Sequence, residues 1–122
     1  MKKVSVLGLG YIGLPTSIIL AESGYDVLGF DVNKEKVKKI NSGDADIYEP
    51  EVQERLKKVL NISFKAYSEL QVSDYYIIAV PTPINKDKTA NILNEFIKYK
   101  PSNYFIFTIC VISSLLLAFV MN

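Results

Sequence analysis

Residues 8–15 read Gly-Leu-Gly-Tyr-Ile-Gly-Leu-Pro and directly follow the apolar run Val-Ser-Val-Leu at 4–7. Three glycines in the spacing Gly-x-Gly-x-x-Gly, between a strand and a helix, are typical of a turn that holds the pyrophosphate of a dinucleotide. Gly8 permits the tight turn, Gly10 has no Cβ to block the phosphates, and Gly13 lets the helix lie close to the sheet. The motif therefore predicts a strand, a turn and a helix in immediate succession.

Apolar periodicity predicts further strands and helices in alternation along the first 100 residues. Strands are expected at 3–8, 26–31, 62–66 and 72–80, with helices at 12–23, 33–40 and 49–60. Strands that alternate with helices are typical of an α/β fold with a parallel sheet, and the continuous apolar run of the last strand indicates a strand covered on both faces. We predict an α/β domain over residues 1–100, an incomplete, doubly wound parallel sheet of the Rossmann type.

An acidic residue stands where such a domain would bind the adenosine ribose. Asp31 ends the second predicted strand, 18 residues after Gly13, and its carboxylate can accept hydrogen bonds from ribose hydroxyls. This favours NAD over NADP, because a 2′-phosphate would meet a like charge, although Lys34 and Lys36 lie nearby. The simpler alternative is that the glycines only shape a turn and that Asp31 caps a helix.

Composition excludes several classes of function. The formal net charge of +1 gives no basic field for a nucleic acid, and the absence of histidine together with a single cysteine leaves no metal site or disulfide framework to predict. The apolar stretch after the two N-terminal lysines is interrupted by glycines and a proline, unlike a signal peptide. We therefore expect a cytoplasmic protein that binds neither nucleic acid nor metal.

The C-terminal region, residues 101–122, differs from the rest. Residues 104–121 contain no charged side chain, and as a helix they would extend about 27 Å, close to the thickness of a thin bilayer. Lys98 and Lys100 precede this segment, as expected for a cytoplasmic domain with a C-terminal membrane anchor. We predict an apolar C-terminal helix. The alternative is a buried element, because residues 105–112 are rich in β-branched and aromatic residues and could add a strand to the sheet.

Five segments follow one another in a distinctive order. They are Gly-Leu-Gly-Tyr-Ile-Gly-Leu-Pro-Thr at 8–16, Gly-Phe-Asp-Val-Asn at 29–33, Ile-Asn-Ser-Gly at 40–43, Ile-Tyr-Glu-Pro at 47–50 and Ala-Val-Pro-Thr-Pro at 79–83. Together they resemble one family, the UDP-glucose/GDP-mannose dehydrogenases. The segment Ile-Gly-Leu-Pro-Thr and the stretch from Ile-Asn-Ser-Gly to Glu-Pro are most similar to the UDP-N-acetylmannosamine branch of that family.

The resemblance implies an enzyme that oxidises the C6 alcohol of a nucleotide sugar to a carboxylate with two NAD in succession. It places the pyrophosphate at the backbone amides of Tyr11 and Ile12, the ribose at Asp31 and the adenosine beside Lys36. It places Thr82 at the nicotinamide side of NAD. Two simpler interpretations stay open, namely that Lys36 lies on a solvated helix face and that Thr82 belongs to a loop that merely ends a strand.

The resemblance stops after residue 89, and the family's catalytic segments have no counterpart in the sequence. Cys110 lies in an uncharged run and is interpreted as a small apolar side chain, so we assign no catalytic residue. Binding of a nucleotide sugar would require a separately supplied lobe. We expect a truncated or frameshifted product that binds NAD and is inactive alone; a membrane-tethered NAD-binding module and a non-functional product are the alternatives.

Overall fold

The computed structural model describes residues 2–80, 105–112 and 115–121, and contains one sheet with three helices. The elements are β1 (Lys3–Leu7), α1 (Gly13–Glu22), β2 (Asp26–Phe30), α2 (Lys34–Asn41), α3 (Pro50–Val59), β3 (Phe64–Tyr67), β4 (Tyr75–Val80), β5 (Phe105–Ile112) and β6 (Leu115–Met121). The strand order in the sheet is β3-β2-β1-β4-β5-β6. All neighbouring strands are parallel except β5 and β6, which are antiparallel.

The predicted α/β class and the parallel sheet are confirmed. Local signals account for the helix boundaries: the side chain of Asn33 caps α2 by accepting a hydrogen bond from the Lys36 amide at 3.1 Å, and Pro50 opens α3, where its missing N–H costs nothing. The third and fourth strands begin later than predicted, at Phe64 and Tyr75. The short helix that Ile92, Leu93, Phe96 and Ile97 could form lies outside the described residues.

The prediction of an apolar C-terminal helix is wrong. The structure places Phe105–Ile112 as β5, parallel to β4 and paired along it from Tyr75 with Phe105 to Val80 with Cys110. The alternative of an added strand therefore describes this segment. The β-branched and aromatic side chains of this segment favour an extended strand. A strand also needs a neighbour for its main-chain hydrogen bonds, and the open edge of β4 supplies that neighbour.

The second half of the tail forms a strand as well. Leu115–Met121 is β6, which returns along β5 after only two intervening residues. Such a short connection permits an antiparallel neighbour, whereas a parallel one needs a crossover of a dozen or more residues. In the described part of the chain no helix is both long and apolar enough to span a bilayer. The predicted membrane anchor is therefore not supported.

Buried apolar side chains lie on both faces of the sheet at β1, β2 and β4. The larger core lies between the sheet and the three helices and includes Val6, Ile18, Val27 and Leu56. A smaller cluster lies on the opposite face and consists of Leu7, Phe30, Leu70, Tyr76 and Ile78. Successive residues of a strand point to opposite faces, so an apolar run such as Val6-Leu7 supplies both clusters.

An ion pair links α1 to α3 at the surface. The Arg55 Nε donates to Glu22 at 3.0 Å, a second guanidinium N–H of Arg55 bonds the other carboxylate oxygen, and both side chains are about one third exposed. The hydrogen bond from Arg55 lowers the pKa of the Glu22 carboxyl below its ordinary value. This contact links the C-terminal end of α1 to α3 at the surface.

The outer edge of β3 is covered by a side chain. Asn41 at the end of α2 accepts from the Ala66 amide at 3.0 Å and donates to the Ala66 carbonyl at 2.9 Å. Since β3 is the outermost strand on this side, the Asn41 carboxamide takes the place that another strand would occupy at Ala66.

We expect Asn41→Ala to lower the free energy of unfolding by about 1–3 kcal/mol, because two hydrogen bonds are lost and both groups of Ala66 lose their partner. Urea denaturation followed by circular dichroism measures the change. Ser42→Ala is the control, since the Ser42 hydroxyl is exposed and bonds only the Lys39 carbonyl of its own helix. It should cost no more than about 0.5 kcal/mol. Equal effects of the two substitutions would show that the edge contact does not stabilise the fold.

Candidate cofactor site

The glycine turn joins the carboxyl end of β1 to the first residue of α1. Gly8 has a φ of 100°, a conformation that side chains rarely adopt, and its amide donates to the Phe30 carbonyl at 2.8 Å. That hydrogen bond ties the turn to the end of β2. The loops that follow β1 and β2 therefore meet at the carboxyl ends of the parallel strands, where open α/β sheets bind their ligands.

Gly13 and Gly10 have different surroundings. A Cβ at Gly13 would lie 1.6 Å from the Gly8 carbonyl oxygen, so only glycine lets the helix begin so close to the turn. A Cβ at Gly10 would meet nothing within 4 Å. The fold thus requires Gly13, whereas Gly10 faces open space that a ligand can enter.

Four consecutive amides of the turn are candidate donors for a ligand. Among the described residues, the N–H groups of Gly10, Tyr11, Ile12 and Gly13 make no hydrogen bond, and no side chain caps α1. Tyr11 is 71% exposed and Ile12 is 41% exposed, so solvent reaches this backbone. Unpaired amides at a helix N-terminus, with the positive end of the helix dipole, favour an anion such as pyrophosphate.

Asp31 follows β2 and lies beside the turn. Its carboxylate is buried and accepts from the Leu9 amide at 3.0 Å and from the Asn33 amide at 2.9 Å. Lys36 lies in the first turn of α2, half-buried. Six of the predicted residues are therefore neighbours at the carboxyl ends of the parallel strands: Gly8, Gly10, Tyr11, Ile12, Gly13 and Asp31. Lys36 follows Asp31 in the chain, in the first turn of α2. Thr82 lies outside the described residues.

Sequence reasoning missed Leu9. Its side chain is fully buried, and a Cβ at Gly29 would lie 2.9 Å from its Cδ2, so Leu9 packs where Gly29 leaves room on β2. The available sequence signal was a large apolar residue between two glycines. Its packing partner Gly29 could not be identified from sequence, because the contact depends on the register that places β1 beside β2. The buried Leu9 side chain anchors the turn in the core, while the amides that follow Leu9 in the chain remain accessible.

The parallel sheet order, the glycine turn and the acidic residue after β2 define a dinucleotide-binding domain of the Rossmann type. The open space at Gly10 and the four unpaired amides fit a pyrophosphate. The model of the UDP-glucose/GDP-mannose dehydrogenase family, NAD binding domain, matches residues 2–98. The chain therefore belongs to this family, and the cofactor of the matched domain is NAD.

Individual relatives agree with this assignment. The chain is 51% identical over 89 residues to the UDP-N-acetyl-D-mannosamine dehydrogenase of Pyrococcus horikoshii, a match that covers 70% of this chain and 21% of the relative. It is 39% identical over 88 residues to an NDP-N-acetyl-D-galactosaminuronic acid dehydrogenase of Ralstonia nicotianae, covering 71% of this chain and 21% of the relative. The chain thus spans about a fifth of the length of these relatives.

A solved structure shows the same fold. The UDP-N-acetyl-mannosamine dehydrogenase Cap5O from Staphylococcus aureus superposes with a TM-score of 0.78 at 38% sequence identity. The superposition covers 90% of this chain and 29% of that one. The sequence resemblance to the family is therefore accompanied by the same arrangement of strands and helices.

Proposed function

We propose that this chain provides the NAD-binding part of a nucleotide-sugar 6-dehydrogenase, with residues 1–100 as the cofactor-binding unit. The observation that carries the proposal is the row of unpaired amides at residues 10–13, beside open space at Gly10 and next to a buried carboxylate. The names of the similar proteins favour a UDP-N-acetylmannosamine type of sugar, and the family description adds a UDP-glucose type as the other candidate.

Each predicted residue receives a role in this proposal. The amides of Gly10, Tyr11 and Ile12 bind the pyrophosphate oxygens, because they have no acceptor among the described residues and, unlike Gly13, belong to residues that are not buried. Asp31 accepts ribose hydroxyls, since its carboxylate follows β2 and lies beside the glycine turn, where domains of this type bind the adenosine ribose. Lys36 lies beside the adenosine.

Thr82, after the end of β4, completes the site on the nicotinamide side. Gly8 and Gly13 contribute to the site by shaping the turn that holds these donors.

The chemistry proposed for the whole protein is oxidation of the sugar C6 alcohol to a carboxylate. NAD, when bound, supplies the hydride acceptor. This chain binds and orients the cofactor, and we assign no catalytic residue to it. Residues 1–122 span about a fifth of the length of the similar dehydrogenases, and the nucleotide sugar and the groups that react with it would be held outside these residues. We therefore expect no turnover from residues 1–122 alone.

Titration calorimetry with NAD tests the proposed binding. The chain should release heat on binding NAD and bind NADP more weakly, because the 2′-phosphate would approach the Asp31 carboxylate. A folded chain that binds neither nucleotide would refute the proposal. Incubation with NAD and UDP-N-acetylmannosamine, followed by NADH absorbance, should show no turnover; sustained formation of NADH would refute the expected inactivity.

The role of Lys36 can be tested against a second lysine of the same helix. Lys36 and Lys38 are separated by about 200° around α2. Lys38 lines a groove of about 420 Å³ with Asn41 and Ser68, on the side of α2 that faces the outer edge of β3. Lys36→Ala should weaken NAD binding about threefold to tenfold, the range of one partly exposed charged contact.

Lys38→Ala is the matched control for this substitution, because it removes the same charge from the same helix. It should leave the dissociation constant for NAD unchanged in calorimetry. Equal losses in the two variants would indicate a general effect of positive charge. No loss in either variant would favour the alternative interpretation of Lys36 as a solvated surface lysine.

A further inference from the structure

The Asp31 carboxylate connects two loops of the site before any cofactor is present. One oxygen accepts from the Leu9 amide at 3.0 Å, within the glycine turn, and the other accepts from the Asn33 amide at 2.9 Å, at the start of α2. The residue is 0% exposed, so water does not compete for these hydrogen bonds. Hydrogen bonds to a buried charged acceptor are among the stronger ones in proteins.

The amide that Asp31 holds belongs to the best-anchored residue of the turn. The Leu9 side chain is 0% exposed and packs over Gly29, while the preceding amide, that of Gly8, is bonded to the Phe30 carbonyl at 2.8 Å. The chain leaves this anchored pair and continues directly into the unpaired amides of residues 10–13. The row is held from both sides, because the carbonyls of Gly10 and Ile12 accept from α1 amides at 3.1 Å and Leu9 precedes the row. The way Leu9 is held therefore contributes to the direction of those amides.

We infer that Asp31 is a positioning residue for the pyrophosphate, in addition to its proposed contact with the ribose. Its carboxylate keeps Leu9, and hence the amides that follow, in the orientation that accepts the phosphates. The inference rests on the proposed function, because it concerns the same site. A positioning role differs from the ribose contact in one consequence: Asp31 should affect the binding affinity of ligands that have phosphates but no ribose hydroxyls.

Affinity for 2′,3′-dideoxyadenosine diphosphate isolates this effect, because this ligand keeps the pyrophosphate and lacks both hydroxyls. Asp31→Asn leaves one acceptor oxygen and places an NH₂ group opposite one of the two amides. We expect binding of the dideoxy ligand to weaken about tenfold, the value of one lost hydrogen bond of about 1.4 kcal/mol. Without a positioning role, removing a negative charge near the phosphates would leave this affinity unchanged or increase it, and either result would overturn the inference.

Asp26→Asn is the matched control, since it removes the same charge from the opposite end of β2. It should leave the affinity for the dideoxy ligand unchanged, and an equal loss in this control would overturn the inference. Failure of the unmodified chain to bind NAD or the dideoxy ligand would count against the proposed function instead.

Hydrogen exchange in the unmodified chain provides a test that needs neither a variant nor a ligand. The Leu9 amide should exchange at least about ten times more slowly than the Gly10 amide, which has no acceptor among the described residues. Comparable exchange of the two amides, measured by NMR and corrected for intrinsic rates, would overturn the inference even if Asp31→Asn did not fold. NAD binding by the same sample would then still support the proposed function.

Discussion

Gly13→Ala is expected to destabilise the domain by at least about 3 kcal/mol and to remove NAD binding as a consequence. The new Cβ would lie 1.6 Å from the Gly8 carbonyl oxygen and 2.7 Å from its carbon, and these atoms belong to the backbone of the turn. Neither can move aside as a flexible side chain could, because the Gly8 amide is bonded to Phe30 and Leu9 is bonded to Asp31. Urea denaturation followed by circular dichroism measures the loss.

Gly24→Ala is the control for glycine substitution in general. Gly24 has a φ of 101°, and a Cβ there would meet nothing within 4 Å, so alanine costs only the backbone strain of about 1–2 kcal/mol. Because Gly13 is not in the left-handed region, the difference between the two variants is a lower bound on the cost of the collision at Gly13. If Gly13→Ala were as stable as Gly24→Ala, the close approach of turn and helix would not be a requirement of the fold.

Gly10→Ala is expected to have the opposite combination of effects. Its Cβ would meet no protein atom within 4 Å, and the φ of Gly10 lies outside the left-handed region. Alanine should therefore preserve or raise the free energy of unfolding, by up to about 1 kcal/mol, because it restricts the unfolded chain. The same Cβ would project into the open space proposed for the pyrophosphate, and we expect NAD affinity to fall about a hundredfold, or about 2.8 kcal/mol.

Calorimetry with two ligands identifies where the Gly10 substitution acts. NAD contains the pyrophosphate, whereas adenosine lacks it, so only the affinity for NAD should fall. Undiminished NAD binding by a folded Gly10→Ala chain would place the pyrophosphate elsewhere. An equal loss for adenosine would show that the substitution disturbs the site as a whole.

The first 80 residues were largely predictable from sequence because their signals are local. A residue such as Asn33 before α2 or Pro50 at the start of α3 marks a helix end through contacts within one turn of chain. The glycine motif works in the same way, since a tight turn and a helix start need particular residues at fixed spacing. The predicted helices accordingly lie within one or two residues of their observed bounds.

The tail was predicted wrongly because its structure depends on a distant neighbour. An uncharged run of 18 residues is compatible with a membrane helix or with buried strands, and its own composition does not decide between them. The open edge of β4 decides, by supplying main-chain partners to β5. The same holds for Asn41, whose sequence position gave no sign that it would cover the edge of β3.

By itself, the sequence determined the class of fold and the family, and it predicted the candidate cofactor site, since each depends on residue types at short, regular spacing. Only the tertiary structure supplied the distances behind the different roles predicted for Gly13 and Gly10: a Cβ at Gly13 would lie 1.6 Å from the Gly8 carbonyl oxygen, whereas one at Gly10 would meet nothing within 4 Å. It also joined Asp31 to Leu9, 22 positions away in the chain. Distances between loops are set by strand register and helix packing, so contacts of this kind appear only when β1 and β2 lie side by side.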